Sequence, residues 1–306
     1  MKKTLAIVGP TGIGKSRMAI NHAKKYNGEI INADSRQVYR YMDIGTDKPL
    51  KEELSVIPHH LIDIIKPDED FSLAQYQQLA YRIVADIQNR NKLPILTGGT
   101  GLYIWAVLEG WKIPEVPPNP ELRNDLEERA ARGEEKELYQ ELVKVDPVSA
   151  KRIDSRNVRR IIRALEVYRT TNIPFSELQQ KTPPPYDVLI IGLTMDRKEL
   201  YRRIDSRVDR MVERGLVEEV QRLVDSGYSL NLTAMTGIGY RQIGMYLDSE
   251  LNLQDAIEQI KFETHRFVRN QYNWFRLKDE RIKWFDMQDK DVMLKIDTMV
   301  GGFIYK

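Results

Sequence analysis

The sequence predicts an α/β fold, a parallel β-sheet flanked by helices and interrupted by an all-helical insertion. Three observations predict it. Short apolar runs, Leu5-Ala6-Ile7-Val8, Glu29-Ile30-Ile31-Asn32-Ala33, Leu93-Pro94-Ile95-Leu96-Thr97 and Val188-Leu189-Ile190-Ile191-Gly192-Leu193, read as buried strands, and stretches of helical character lie between them. A glycine-rich loop, Gly9-Pro10-Thr11-Gly12-Ile13-Gly14-Lys15-Ser16, joins the first strand to a helix. Proline-rich pieces at 114–120 and 182–185 bracket a segment with no convincing strand. The expected division is therefore an α/β core of residues 1–116 and 186–306 around a helical insertion of residues 117–185.

The first strand and loop carry the strongest chemical signal. Glycines let successive backbone N–H groups converge on one anion, and a helix start adds partial positive charge. Lys15 adds a full charge for outer phosphate oxygens, and the Ser16 hydroxyl can ligate Mg²⁺. Gly9 to Ser16 is thus expected to bind a phosphate group.

The second strand ends at Asp34-Ser35-Arg36-Gln37-Val38-Tyr39. Carboxyl ends of strands line the ligand crevice of open α/β sheets, which brings Asp34 toward the phosphate loop. It reads equally as a general base, a metal-linked carboxylate or a turn cap. Ile44-Gly45-Thr46-Asp47-Lys48-Pro49 reads as a polar loop and Lys51 to Leu54 as helical. The adjacent His59 and His60 suit a loop or cap, since neighbouring side chains do not face one metal. Phe71 to Arg90 has helical periodicity, with Ser72 as N-cap. The strand ending at Thr97 runs into a second glycine-rich turn, Gly98-Gly99-Thr100-Gly101. A nucleotide hydrolase usually carries an aspartate there, and Leu61-Ile62-Asp63 offers itself as a substitute.

In the insertion, Arg156, Arg159, Arg160 and Arg163 share one helix face, a surface suited to a polyanion or to neighbouring acids. Arg203, Arg207, Arg210 and Arg214 form a second stripe mixed with Asp205, Asp209 and Glu213, which favours internal pairing. Residues 261–283 interleave bases with aromatics, the combination that meets single-stranded nucleic acid, although core packing uses the same spacing.

The 306 residues, 42% hydrophobic and 30% charged, are ordinary for a globular chain. A net charge of +2 excludes nucleic-acid binding by bulk charge and leaves it to local patches. The absence of cysteine excludes disulfides, thiolate metal sites and cysteine nucleophiles. No apolar run approaches the ~20 residues of a membrane helix. The expectation is a cytoplasmic protein with no membrane contact.

Taken together, Gly9 to Ser16, Asp34 to Tyr39, Ile44 to Pro49, Gly98-Gly99-Thr100-Gly101-Leu102-Tyr103, Asn157 to Val167, Ile238-Gly239-Tyr240 and Trp274-Phe275-Arg276 closely resemble the bacterial tRNA dimethylallyltransferases, from about Thr4 to Arg276. The resemblance implies a P-loop NTPase-like core and transfer of a dimethylallyl group from dimethylallyl diphosphate to an adenine amine beside the tRNA anticodon. It implies that Asp34 takes the proton, with Lys15, Ser16 and Mg²⁺ on the diphosphate. It further implies that Asp34, Ser35, Arg36 and Gln37 hold the adenine. Thr100 and Arg123 would touch tRNA or the leaving group, and Arg159, Arg160, Ile161, Ile162 and Arg163 would form a tRNA-contact segment. The anticodon stem-loop is the expected partner and a monomer the expected state. One departure stands out: the family's R-R-Q-x-T-W-F-R here has Asn270 and Asn273 in place of an arginine and the threonine. A kinase using ATP and an RNA-binding module with a vestigial phosphate site are the competing readings.

Overall fold

The computed structural model describes residues 2–114, 119–178 and 180–305. The chain divides into two compact units, Met1–Leu108 with Pro185–Lys306, and Glu109–Pro184. The expected first boundary, between residues 116 and 117, lies outside the described residues.

The larger unit opens with β1 (Lys3–Val8), α1 (Lys15–Lys25), β2 (Gly28–Asn32), α2 (Lys51–Val56), β3 (His59–His60), α3 (Leu73–Asn89), β4 (Leu93–Thr97) and α4 (Gly101–Leu108). The smaller unit holds α5 (Pro120–Ala131), α6 (Glu135–Val145), α7 (Pro147–Arg152), α8 (Val158–Thr171) and α9 (Phe175–Leu178). The larger unit resumes with β5 (Asp187–Thr194), α10 (Arg197–Glu213), α11 (Leu216–Asp225), α12 (Tyr240–Leu247), α13 (Leu253–Trp274), β6 (Ile282–Asp286) and α14 (Val292–Tyr305).

Among the described residues the strands form one sheet in the order β3-β2-β4-β1-β5-β6, all parallel. The strands are apolar because helices cover both faces. Leu5, Ile7, Ile30, Ile95, Ile191 and Leu193 pack with Met18 and Ala19 of α1. The alternate buried residues Ala6, Ile31 and Leu96 are left to the face covered by α3 and α4. From β1 the chain skips over β4 to build β2, and later adds β5 on the other side. That reversal opens a crevice at the carboxyl end of β1, where open α/β sheets bind ligands.

Ser72 caps α3 as expected, accepting the Gln75 N–H at 3.2 Å while Gln75 returns a bond to the Ser72 N–H at 2.8 Å. The histidine pair is a short edge strand, where a loop or cap was expected. Ile30 and Ile31 pair with His59 and His60, so the two rings point to opposite faces. His60 reaches Glu29 at 2.8 Å, and His59 turns toward the crevice. Among the described residues no helix is long and apolar enough to cross a membrane.

The helical unit has its own core of Leu126, Leu138, Leu142, Ala150, Ile161, Ile162, Ala164 and Leu165. Ile161 and Ile162, expected at a tRNA surface, are 0% and 4% exposed. They are packing residues, because the face of α8 opposite its arginines must be apolar for the helix to dock.

Candidate active site

The crevice is a cleft of about 510 Å³ whose lining includes Thr11, Gly12, Gly14, Lys15 and Ser16 from the first loop and Asp34 and Gln37 from the turn after β2. Gly98 and Gly99 complete that side, with Thr46 and Asp47 nearby. The separately expected phosphate loop, carboxylate turn and second glycine turn are thus brought together.

The start of α1 is built for an anion. Gly14 takes a left-handed φ of 102° at the N-cap, no side chain caps the helix, and its first turn carries no acid. By contrast, α3 and α10 are capped by Ser72 and Asp196. Among the described residues the first N–H groups of α1 therefore have no side-chain acceptor at the cleft. Ile13 buries its side chain in the core, and Gly9 and Pro10 lie behind the lining. Lys15 donates to Pro10 O at 2.8 Å across the loop. Desolvation pushes its ammonium down to about 8, the Asp34 and Asp47 carboxylates opposing that shift and Arg207 adding to it.

Asp34 is held by its own turn. Its N–H donates to Asn32 Oδ1 at 3.2 Å, and its Oδ1 accepts the Arg36 N–H at 2.9 Å. Among the described residues Oδ2 has no hydrogen-bond partner; a methyl group on Gly99 would lie 3.9 Å from it. β4 presses on this turn so closely that a Cβ at Gly98 would sit 2.2 Å from Ala33 C and O, so only glycine fits. Thr100 donates its N–H to Ala33 O at 3.1 Å, and its hydroxyl accepts the Ser35 N–H at 3.0 Å. Thr100 is therefore a support of the Asp34 turn and does not line the cleft. Ser35 and Arg36 likewise lie outside the lining, Arg36 donating to Thr233 O at 2.6 Å. Gln37 lines the cleft and donates to the carbonyls of Thr46 and Asp47 at 3.0 and 3.1 Å.

Sequence reasoning missed the opposite wall. Arg202, Arg203, Ser206, Arg207 and Arg210 of α10 line the cleft, although internal pairing was expected of this stripe; of its members Arg203 does pair within the helix, with Glu199 at 3.0 Å. The acids thought to neutralise it are partly engaged elsewhere: Asp205 faces His265 at 2.8 Å and Asp209 meets Lys261 at 2.9 Å, both on α13. Arg207 reaches the phosphate loop, donating to Thr11 Oγ1 at 2.9 Å, and stands 3.3 Å from Asp47. The one available signal was the Arg-x-x-x-Arg spacing, which places Arg203, Arg207 and Arg210 on one face.

Asp63 is not a stand-in for the missing strand-end aspartate. It sits in a turn with φ 55° after the edge strand and is paired with the buried Lys48 at 2.5 Å. In the helical unit, Arg123 and Arg163 are committed to the fully buried Glu166, at 2.9 and 2.7 Å. Burial pushes the Glu166 carboxyl up, but hydrogen bonds from Arg163, Arg123 and the Asn119 N–H hold it below its usual value. Arg156 pairs with Asp154 at 2.8 Å. Arg159 and Arg160 are exposed and, among the described residues, have no acidic partner within 4.0 Å.

Residues 37–278 match the family model described as IPP transferase. The chain is 53% identical over 286 residues to a tRNA dimethylallyltransferase of Thermomicrobium roseum, covering 94% of this chain and 87% of that one. It is 50% identical to the one from Dehalococcoides mccartyi, covering 93% and 88%. Among solved structures, the full-length tRNA isopentenylpyrophosphate transferase of Bacillus halodurans is 41% identical with a TM-score of 0.72, covering 98% of this chain and 96% of that one. A eukaryotic dimethylallyltransferase described as acting on tRNA is 28% identical with a TM-score of 0.86, covering 100% and 80%.

Proposed function

The chain belongs to the tRNA dimethylallyltransferase (IPP transferase) family, and on that premise we propose how its cleft transfers a dimethylallyl group from dimethylallyl diphosphate to the exocyclic N6 of the adenine adjacent to the tRNA anticodon. The diphosphate sits on the N–H groups that open α1, between Lys15 and Arg207. The adenine leaves its stack and enters on the Asp34 side. The allylic C–O bond breaks and its electron pair stays on the diphosphate, while N6 forms the new C–N bond and gives its proton to the Asp34 carboxylate. An aromatic amine is a weak nucleophile, so removing that proton as the bond forms counts. The loop amides, Lys15 and Arg207 stabilise the leaving charge where it develops. The observation that carries this reading is that Asp34 and the uncapped start of α1 line one cleft.

Mg²⁺ fits this donor set. Ser16 offers one exposed hydroxyl at the cleft, and among the described residues no group of three His, Cys, Asp or Glu forms a protein cage. Magnesium commonly binds through one or two protein oxygens plus substrate phosphates. When bound it would add positive charge against the departing diphosphate. A monomer and a cytoplasmic location are proposed with this reading, the location on the ground that the substrate is tRNA.

Mass spectrometry of unmodified tRNA incubated with the protein, Mg²⁺ and dimethylallyl diphosphate tests the reading. One added prenyl group per tRNA, without ATP, is expected; unchanged mass would refute it. The lowered ammonium of Lys15 gives a second expectation. Only its charged form grips diphosphate, so kcat/KM for the donor falls with unit slope above pH about 8. A limb that stays put in Lys15→Arg would assign the titration to another group.

Arg159 and Arg160 are proposed to contact tRNA phosphates. Replacing both by Ala should flatten the dependence of log affinity on log salt by about 1.5, since each lost contact removes ~0.7–0.9. An unchanged slope, measured by filter binding, would return these side chains to a merely solvated face.

A further inference from the structure

Gln271 stands on α13, remote in sequence from both glycine loops, and is 2% exposed. Its carboxamide uses both ends. Oε1 accepts the Thr11 N–H at 2.8 Å, and Nε2 donates to Gly99 O at 3.0 Å. Thr11 belongs to the anion-binding loop and takes the Arg207 hydrogen bond on its hydroxyl. Gly99 belongs to the turn whose next residue, Thr100, holds the Ser35 N–H beside Asp34. Pairing of β1 with β4 ends at Ile7 and Thr97, so the sheet itself does not fix how far apart these loops lie. One buried side chain joins them where the ladder stops.

We propose that Gln271 is a positioning residue that sets the distance between the diphosphate cradle and the Asp34 carboxylate. This rests on the function proposed above. Its contribution is geometric. Prenyl transfer needs the allylic carbon, held by its diphosphate, and N6, held beside Asp34, at one separation. A displacement of about 1 Å in such an arrangement costs about 10²-fold in rate. The side chain touches neither reactant in this arrangement, so its loss should appear in kcat with little change in the KM for tRNA.

Gln271→Glu separates positioning from packing. The variant keeps shape and the acceptor for the Thr11 N–H, but an ionised carboxylate repels Gly99 O where the amide donated to it. Protonation restores a donor. Burial and the Asp34 carboxylate across Gly99 push such a carboxyl up, while Arg207 at Thr11 and Lys15 pull it down. Steady-state kinetics from pH 6 to 8.5 should give a variant-to-wild-type kcat ratio of about 10⁻² at pH 8.5, rising at least tenfold by pH 6. Gln271→Met, similar in volume but unable to make either bond, should show a comparable loss at every pH with no recovery. A thermal melt accompanies each variant, and Gln271→Met decides the matter if Gln271→Glu does not fold at high pH. A kcat within twofold of wild type in folded Gln271→Met, or a flat ratio in folded Gln271→Glu, overturns the proposal. Wild-type turnover in the same assay tests the parent reaction, whereas the ratios test Gln271.

Discussion

Asp34→Asn is expected to slow prenyl transfer by about 10³-fold, within the range spanned by general-base catalysis, while tRNA affinity stays within about twofold. The substitution is close to isosteric. An asparagine Oδ1 still accepts the Arg36 N–H and the turn stays closed by Asn32 and Thr100. What disappears is the ability to take a proton. Adenine N6 spreads its lone pair into the ring, so the nitrogen becomes acidic only as it bonds to carbon. A base waiting at that point lowers the barrier; of the other cleft groups, Lys15 and Arg207 are cations, Gln37 is tied to the Thr46 and Asp47 carbonyls, and the Asp47 carboxylate stands 3.3 Å from Arg207. Single-turnover transfer with saturating donor reads the chemical step directly. A rate within fivefold of wild type would remove Asp34 as the base.

Arg207→Ala is expected to lower kcat/KM for dimethylallyl diphosphate by about 10²-fold, the scale on which lost leaving-group stabilisation is usually felt. The guanidinium links the phosphate loop, through Thr11 Oγ1, to Asp47 on the far loop. Removing it takes a fixed positive charge from the place where diphosphate charge grows. It should also leave a second mark. Arg207 is one of the charges that lower the Lys15 ammonium, so its loss should move the alkaline limb upward from about 8. The paired readouts separate an electrostatic role from a general loosening of the loop, which would reduce activity without moving the limb. Loss of activity with an unmoved limb would place Arg207 outside the electrostatics of the cradle.

The parts of this molecule legible in its sequence are those specified by local pattern. β1, β2, β4 and β5 announce themselves because strands covered on both faces must be apolar throughout. The start of α3 is encoded by Ser72 and Gln75 within four residues. The phosphate loop and Asp34 were legible because strand–loop–helix order fixes them at the sheet's carboxyl edge. Arg203 pairs with Glu199 inside α10, as expected, but Arg207 was misread for a physical reason: its neighbours in sequence are not its partners in space. Asp205 and Asp209 alternate with the arginines in sequence, but α13 brings His265 and Lys261 to them, and Arg207 turns to Thr11 and Asp47 at the cleft. Ile161 and Ile162 show the converse, since one helix segment can carry both a candidate tRNA face and the apolar face that docks it. Gln271 matches the Q of R-R-Q-x-T-W-F-R, but its role has no local signature because both its bonds are tertiary. The two-residue strand β3 is too short for any periodicity to register.

The chemistry is assigned to one place, with diphosphate on the start of α1 and the attacking nitrogen beside Asp34. The most direct measurement is a crystal structure of the protein with an unreactive dimethylallyl diphosphate analogue and an unmodified anticodon stem-loop. The account predicts the diphosphate on the backbone of residues 11–16, contacted by Lys15 and Arg207. It also predicts the flipped adenine with N6 about 2.6–3.2 Å from an Asp34 carboxylate oxygen. Diphosphate bound elsewhere, or an adenine whose N6 lies beyond reach of Asp34, would contradict it.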